Sequence, residues 1–422
     1  MNRRDKVKLL AALALGIAPL TLWANGMRLV SQDAFASARG EAFVATADNP
    51  SAIYYNPAGI TQLDGNELRA GIYGIYLDPS YRPPPGAQNA GNTYHLDYKL
   101  AAVPQFFYTH ALKSLPLSLG MGIYSPYGLG VSWPQDTGFR AVATEGSLMY
   151  VRMNPVVALK LGPTFSIAGG VTVNYAKIEL EQGLRAFEVP PNIFRFKGDG
   201  WSVGYNVGLR WQPHEKVSLG ATFRSSTKIT MDGQTEIEQQ PVIRPQTLPA
   251  QADFEFPLGF AFGISYRPTP KWNLEFNADY TDWSSFGTTT IRQQGTTQFG
   301  VQQDILVALN WKPSWLYAFG VTRYFDNKWH VSAGYVFNEN SIPDDYYTPL
   351  AADLDRHFFT IGVGRKGKRF DLDLAYQFGY GPARTVTGST PSSQPAQFAG
   401  QTADGRYDFI SHAVLLTVGM HF

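Results

Sequence analysis

Apolar and polar residues alternate along most of the chain from residue 66 onward. In the stretches 201–212, 272–281 and 370–379, every second residue is aromatic or aliphatic, and most residues between them are Gly, Ser, Asn or charged. A period of two places the two sets on opposite faces of a β-strand. Such stretches run to about ten residues, the length with which a tilted strand crosses a bilayer. Their ends are rich in Trp and Tyr, so we predict membrane-spanning strands rather than a soluble sandwich.

The connections between these stretches alternate strictly between short and long. Six short turns fall at 113–116, 162–163, 213–216, 268–271, 326–328 and 366–368. Seven long polar loops fall at 80–93, 127–147, 183–197, 233–250, 286–303, 340–352 and 381–405. Thirteen connections separate fourteen strands, and an even number returns both ends of the barrel to one side. We therefore predict an all-β fold, a 14-stranded antiparallel transmembrane β-barrel over residues 66–422, with short periplasmic turns and long outer loops.

Both ends of the chain carry features of export and assembly. Residues 1–24 combine four early basic residues with an apolar run and a small residue at Ala24, which predicts a cleaved signal peptide. The last strand alternates to the terminal aromatic residue Phe422. A terminal aromatic on an amphipathic strand is similar to the signal read by barrel assembly machinery, which we expect as a partner.

Residues 25–65 do not alternate. This segment is rich in Ala, Gly and Ser, and Pro50 and Pro57 interrupt it, so it can hold only short helices and turns. It is too short for an independent domain. A periplasmic tail is one interpretation, but small residues suit close packing, so we expect a plug, or hatch, inside the barrel lumen, where irregular backbone is tolerated.

Composition supports a barrel and excludes other classes. Aromatic residues make up 14% of the chain, charged residues only 16%, and the net charge is +1, so nothing attracts nucleic acid. With no Cys and no pair of His at i, i+4, we expect no metal site and no cofactor. The G-x-S-x-G match around Ser202 lies within an alternating strand instead of a strand-turn-helix elbow, so we expect no enzyme activity.

The hatch segment also carries the most specific resemblance to a known family. The stretch 40–59, with its Asn56-Pro57-Ala58 motif, resembles the N-terminal hatch of the FadL family of outer-membrane transporters. Those proteins carry long-chain fatty acids, and TodX-like relatives carry aromatic hydrocarbons. Supporting similarities lie in the third loop and fourth strand and in the tenth and eleventh strands, at Trp133, 138–140, 154–158, 310–312 and Trp329.

The resemblance implies a location and a function. It implies the outer membrane of a Gram-negative bacterium, a fourteen-stranded barrel, and uptake of hydrophobic small molecules through a pocket beside the hatch, with lateral exit through the wall. Family members often have Phe near the mature N-terminus, where this chain has Met27 after Gly26, so the pocket would change in shape. Long-chain fatty acid is the expected cargo. Monoaromatic hydrocarbons and a general diffusion porin remain alternatives.

Two further groups of residues are candidates for the transport path. Tyr127, Leu129, Trp133 and Phe139 in one outer loop could form an apolar groove that captures cargo. In a closed barrel a proline inside a strand implies a bulge or a missing ladder bond, as at Pro104, Pro155 and Pro257. We predict that Gly120, Gly122 and Pro126 form the kink in the third strand. We expect a monomer surrounded by outer-membrane lipid and lipopolysaccharide.

Overall fold

The computed structural model describes residues 26–97, 100–184, 192–239, 243–298, 302–351, 353–390 and 400–422. Within them the strands form one closed antiparallel barrel of fourteen spans, as predicted. The last strand pairs with the first along its length, from Glu67 opposite His421 to Leu77 opposite Ser411, and this pairing closes the wall. The predicted signal peptide lies outside the described residues.

Seven of the spans are interrupted and consist of two consecutive segments each, β1 with β2, β3 with β4, β5 with β6, β10 with β11, β12 with β13, β14 with β15 and β16 with β17. The segments are β1 Asn66–Leu77, β2 Ser80–Arg82, β3 Tyr94–His95, β4 Leu100–Ala111, β5 Leu117–Tyr124, β6 Gly128–Ser132, β7 Glu145–Leu161, β8 Phe165–Gly183, β9 Asn192–His214, β10 Val217–Arg224, β11 Thr227–Gln239, β12 Ile243–Phe256, β13 Gly259–Thr269, β14 Trp272–Thr281, β15 Thr288–Gln293, β16 Asp304–Ala308, β17 Ser314–Tyr324, β18 Trp329–Asn338, β19 Arg356–Lys366, β20 Phe370–Val386 and β21 Gly405–His421.

The alternation of the sequence matches the two faces of the wall. In β9, Val203 and Tyr205 are 66% and 54% exposed on the outside, whereas Asn206 between the apolar positions is 2% exposed. The same arrangement repeats in β14 and β20, where Asn273, Asp371 and other polar residues are buried. The barrel is therefore apolar outside and polar inside, as a closed sheet in lipid requires.

Several predicted long loops are shorter than expected because the strands continue beyond the apolar zone. The prediction of a loop at 233–250 is wrong, since β11 and β12 stay paired from Thr227 opposite Phe256 to Gln239 opposite Ile243. The predicted loop at 183–197 is likewise shortened by β9. The outer face of these extensions meets water instead of lipid, so its residues are polar, and we had interpreted that polarity as loop.

Residues 26–62 lie inside the barrel and are almost entirely buried. They contain two short helices, α1 Ala34–Ala38 and α2 Ala52–Tyr55, and a 3-10 helix at Pro57–Gln62. Asp33 caps α1 by accepting hydrogen bonds from the amides of Phe35 and Ala36. We call this segment the hatch. None of the helices in the described part of the chain is long and apolar enough to cross a membrane.

Candidate transport site

The wall contains a break in its third span, between β5 and β6. Three residues, 125–127, separate Tyr124 from Gly128, while two residues of β7 separate their partners Arg152 and Met149. This extra residue makes a β-bulge, which shifts the register of the strand by one. On the other side, β4 pairs with β5 only from Phe106 to Ala111. For residues 101–105 the described residues give no ladder partner in the third span.

The first residues of the hatch lie against this break from the inside. The amide of Leu29 donates to the carbonyl of Pro126 at 2.8 Å, and the amide of Gly128 donates to the carbonyl of Met27 at 2.9 Å. The side-chain amide of Gln32 donates to the carbonyl of Ser125 at 2.9 Å. The hatch therefore satisfies backbone groups that the bulge removes from the wall, and it blocks the break on the lumen side.

Beside this segment lies an apolar cavity of about 800 Å³. The hatch contributes Met27, and the wall and loops contribute, among others, Leu129, Phe254, Ile305 and Trp311. The one charged side chain among its described lining residues is Glu181, whose carboxylate accepts from the hydroxyl of Thr144 and forms an ion pair with Arg195. The volume lies within the range of small-molecule pockets, and the lining favours an apolar occupant.

A row of aromatic rings leads from this cavity towards the break. Trp311 and Phe286, which line the cavity, each contact Trp283, at 5.2 and 5.4 Å between ring centroids. Trp283 contacts Tyr127 at 6.1 Å, and Tyr127 contacts Tyr150 at 5.1 Å. Gly26 follows this row so closely that an added Cβ would lie 2.9 Å from both tryptophans. The hatch N-terminus thus covers a continuous apolar surface between cavity and break.

Charged groups of the wall anchor the hatch in the lumen. The carboxylate of Glu275 accepts from the amides of Ala45 at 2.7 Å and Thr46 at 3.0 Å, and also from the hydroxyl of Thr46. Arg39 of the hatch forms an ion pair with the same carboxylate at 3.5 Å, and both side chains are fully buried. A buried charge that meets this many partners fixes the position of the segment.

A second anchor holds the start of α1. Arg69 of β1 forms ion pairs with Asp33 of the hatch and with Asp373 of β20, the latter at 2.6 Å. His330 contacts the other oxygen of Asp373 at 2.8 Å. A polar cavity of about 820 Å³ lies beside this network, and the turn at Lys366 contributes to its lining. Because three buried charges and a cap meet here, the first helix is fixed to two distant strands.

The Asn56-Pro57-Ala58 motif forms a third contact with the wall. The side-chain amide of Asn56 donates to the carbonyls of Val44 at 2.8 Å and Leu209 at 2.9 Å, while its oxygen accepts from the amide of Ala58 at 3.2 Å. Pro57 occupies the first turn of the 3-10 helix, where its missing N–H leaves no bond unmade. Asn56 thus connects two parts of the hatch to β9.

The structure separates the residues that the sequence grouped as an outer-loop groove. Leu129 lines the apolar cavity, and Tyr127 belongs to the aromatic row. Trp133 and Phe139 contact each other at 5.6 Å, and the indole N–H of Trp133 donates to the carbonyl of Pro349 at 3.0 Å. All four side chains are buried, so they pack between loops, and none forms an open groove at the surface.

The residues predicted for the kink are also divided. Pro126 lies in the break itself, whereas Gly120 and Gly122 belong to the regular ladders that β5 makes with β4 and β7. A Cβ on either glycine would meet the side chain of Ile53, so their place in the structure is under the hatch. Phe422 ends the last strand, where its backbone exchanges hydrogen bonds with Asn66 of β1.

The sequence reasoning missed the charged residues that position the hatch. Glu275 and Asp373 alternate with apolar neighbours in their strands and look like any lumen-facing residue. Arg28 immediately follows Met27 in the sequence, yet its guanidinium pairs with Asp279 on the far side of the lumen, at 2.6 and 2.7 Å. A sequence signal did exist, since a charge at the centre of a span requires a buried partner.

Comparison with known proteins agrees with this architecture. The chain is 23% identical over 455 residues to a long-chain fatty acid transport protein of Escherichia coli O6:H1 (strain CFT073), with 98% of this chain and 97% of that protein covered. The crystal structure of a Pseudomonas aeruginosa FadL homologue matches with a TM-score of 0.79 at 17% identity, over 94% of this chain and 99% of that one. The Pseudomonas putida toluene transporter TodX matches with a TM-score of 0.71 at 14% identity, over 94% and 100%.

The family profile covers nearly the whole sequence. The family described as outer membrane protein transport protein (OMPP1/FadL/TodX) matches residues 17–422, which includes the hatch and all fourteen spans. Together with the closed barrel, this match places the protein in the outer membrane. The chain belongs to the OMPP1/FadL/TodX family of outer-membrane proteins that transport hydrophobic compounds.

Proposed function

We propose that this protein takes up long-chain fatty acids by binding them in the apolar cavity beside the hatch and releasing them sideways through the break in the third span. The observation that carries the proposal is the position of the hatch N-terminus. Residues 27–29 line the cavity and at the same time pair with the break. A molecule that displaces this segment from the cavity also exposes the gap.

Lateral release has an energetic reason. A hydrophobic molecule that leaves through water must expose its apolar surface, at about 25 cal/mol per Å². An alkyl chain that passes from an apolar cavity along aromatic rings into lipid avoids that exposure. The aromatic row from Trp311 to Tyr150 offers such a surface. A direct path into the periplasm would instead cross the charged network of Asp33, Arg69 and Asp373.

Fatty acid is the first cargo to test because relatives that match the chain over nearly its full length carry that name. One observation favours a second candidate, an uncharged hydrocarbon such as toluene. The described lining of the apolar cavity includes no Lys or Arg, so a carboxylate would find no cation there. The toluene transporter TodX has the same fold, but at 14% identity this similarity does not identify a cargo.

The cargo is tested by uptake of labelled oleate and labelled toluene in cells that lack their own fatty-acid transporter and express this chain. We expect oleate uptake to be restored. Toluene uptake without oleate uptake would replace the first candidate by the second. Transport of neither, from a barrel that assembles correctly, would refute the proposed function, as would a large permanent conductance to ions, which is the property of a general porin.

The route is tested by removing the bulge. Deletion of Pro126 leaves two residues between Tyr124 and Gly128, which equals the number between their partners in β7, so the ladder can run without a break. We expect uptake to fall to background while the barrel still assembles. The matched control is deletion of Asn327 in the short turn between β17 and β18, far from the break. Normal uptake after the Pro126 deletion would refute lateral release at this place.

A further inference from the structure

A second, smaller cavity lies deeper in the lumen, on the other side of the hatch N-terminus. Its volume is about 320 Å³, and it is lined by four charged side chains, Arg28, Glu41, Arg224 and Asp279, together with Tyr54 and other residues. Met27 lines the apolar cavity, and the next residue, Arg28, lines this polar one. The two cavities are therefore separated by the thickness of one extended chain segment.

The hydrogen bonds in this cavity leave one cation poorly matched. Arg28 engages both oxygens of Asp279, at 2.6 and 2.7 Å, and Glu41 accepts from the hydroxyls of Tyr55 and Ser31. Arg224 donates from Nη2 to the carbonyl of Tyr54 at 2.7 Å, but its Nη1 reaches Asp279 only at 3.8 Å. Nε and Nη1 of Arg224 are buried and have no hydrogen-bond partner among the described residues.

Two unpaired donors on a side chain of which only 8% is exposed are costly to keep. Each buried donor without a partner costs on the order of 1–3 kcal/mol, more when the group is charged. A planar carboxylate is the natural partner, because its two oxygens accept from the fork of a guanidinium. Arg224 also lies over the ring of Tyr54, with its central carbon 4.8 Å from the centroid, so the fork is held in a fixed orientation.

The surrounding charges leave room for one monoanion. A third buried arginine, Arg152, lies close by on β7, and it is bonded only to the neutral groups of Asn174 and Tyr150 among the described residues. The three arginines Arg28, Arg152 and Arg224 are opposed by the two carboxylates Asp279 and Glu41. Burial also raises the pKa of Glu41, which weakens its negative charge. The region thus carries an excess of at least one positive charge.

We propose that this polar cavity is the headgroup site for a cargo carboxylate, with Arg224 as the residue that binds it. The inference rests on the proposed function and deepens it. The alkyl chain of a fatty acid would occupy the apolar cavity and the aromatic row, and its carboxylate would pass the displaced hatch segment to reach Arg224. It explains how a cavity lined without a cation serves an acidic cargo, since the cation stands one chain segment away.

The test compares oleate with methyl oleate, which has the same chain but no charge, for binding to the purified full-length protein in detergent. We expect Arg224→Gln to weaken oleate binding by at least tenfold and to change methyl oleate binding by less than twofold. Arg224→Lys keeps the charge and should retain most of the oleate affinity. Arg210→Gln is the matched control, because Arg210 also donates to a hatch carbonyl, that of Ala45, but does not line this cavity.

The outcomes separate the two proposals. Equal loss of both ligands in Arg224→Gln would mean that Arg224 only holds the hatch, and unchanged oleate binding would mean that it meets no carboxylate; either result overturns the inference. Loss of the charge preference in Arg152→Gln but not in Arg224→Gln would overturn the assignment to Arg224. Failure of the wild-type protein to bind either ligand, or to support uptake of either, would instead count against the proposed function.

Discussion

Replacement of Glu275 by Gln should release the hatch without disturbing the barrel. The Glu275 carboxylate holds Ala45 and Thr46 through two amides and a hydroxyl, and it is the counter-ion of Arg39. Gln keeps one acceptor oxygen, but its NH₂ group faces the second amide, and Arg39 loses its buried counter-ion. The wall is unaffected, because the backbone of Glu275 stays paired with Ser265 and Gly320.

The magnitude follows from the partners that are lost. Hydrogen bonds to a charged group contribute about 1.5–3 kcal/mol each. Removal of one partner from a buried ion pair costs about 3–5 kcal/mol. Taking about 3–5 kcal/mol as the total, the ratio of undocked to docked hatch rises by roughly 10² to 10³, since about 1.4 kcal/mol corresponds to a factor of ten.

The assay is single-channel recording in planar bilayers. The wild-type barrel should be closed to ions most of the time, and Glu275→Gln should raise the frequency of open events by roughly 100-fold or more. Glu255→Gln is the control, because Glu255 lies at an exposed position of the neighbouring part of the wall. Equal conductance of the two variants would refute the reasoning, because it would mean that Glu275 contributes nothing to docking of the hatch.

Three further changes probe the same contacts. Asn56→Ala removes two bonds and a cap, so we expect lower oleate uptake together with more ion leak, and unchanged values of both would exclude Asn56 from the mechanism. Gly334→Ala places a Cβ against the hatch backbone and should raise the leak, while Gly74→Ala, which has open space, should not. For Asp48, burial alone would raise the pKa, but Lys366 and neighbouring arginines lower it to about 2. Its stabilisation is therefore present above the ordinary pKa of 3.8 and is lost as the pH falls towards 2, so channel opening should increase only below about pH 4, and Asp48→Asn should abolish that increase.

The sequence predicted the barrel well because the bilayer constrains every residue of a spanning strand. Lipid on one side and a polar lumen on the other leave a period of two that even single residues such as Val203 and Asn206 obey. The prediction of loops was poorer, since at 233–250 the strands leave the lipid and their outer face becomes polar without any change in secondary structure. Polarity marks the end of the membrane, and the end of the strand lies further along the chain.

The site could be predicted only where local backbone chemistry determines it. Pro126 marked the break because a proline cannot donate to a ladder, and the structure has its bulge at that residue. Gly120 and Gly122 looked equivalent in sequence, but their role depends on Ile53, which is about seventy residues away in the chain. The pairing of Arg28 with Asp279, across 251 residues, leaves no local trace at all.

The hatch N-terminus connects the separate parts of the proposed mechanism, and this follows from the spacing of three consecutive residues. Met27 lines the apolar cavity, Arg28 lines the polar one, and the carbonyl of Met27 and the amide of Leu29 close the break in the wall. An extended segment cannot move one of these residues and keep the others in place. Cargo that displaces Met27 must therefore also pull Arg28 from Asp279 and free Gly128 and Pro126. If the proposed route is correct, occupation of the cavity and opening of the wall are a single event, and a loaded barrel opens into lipid while an empty one stays closed.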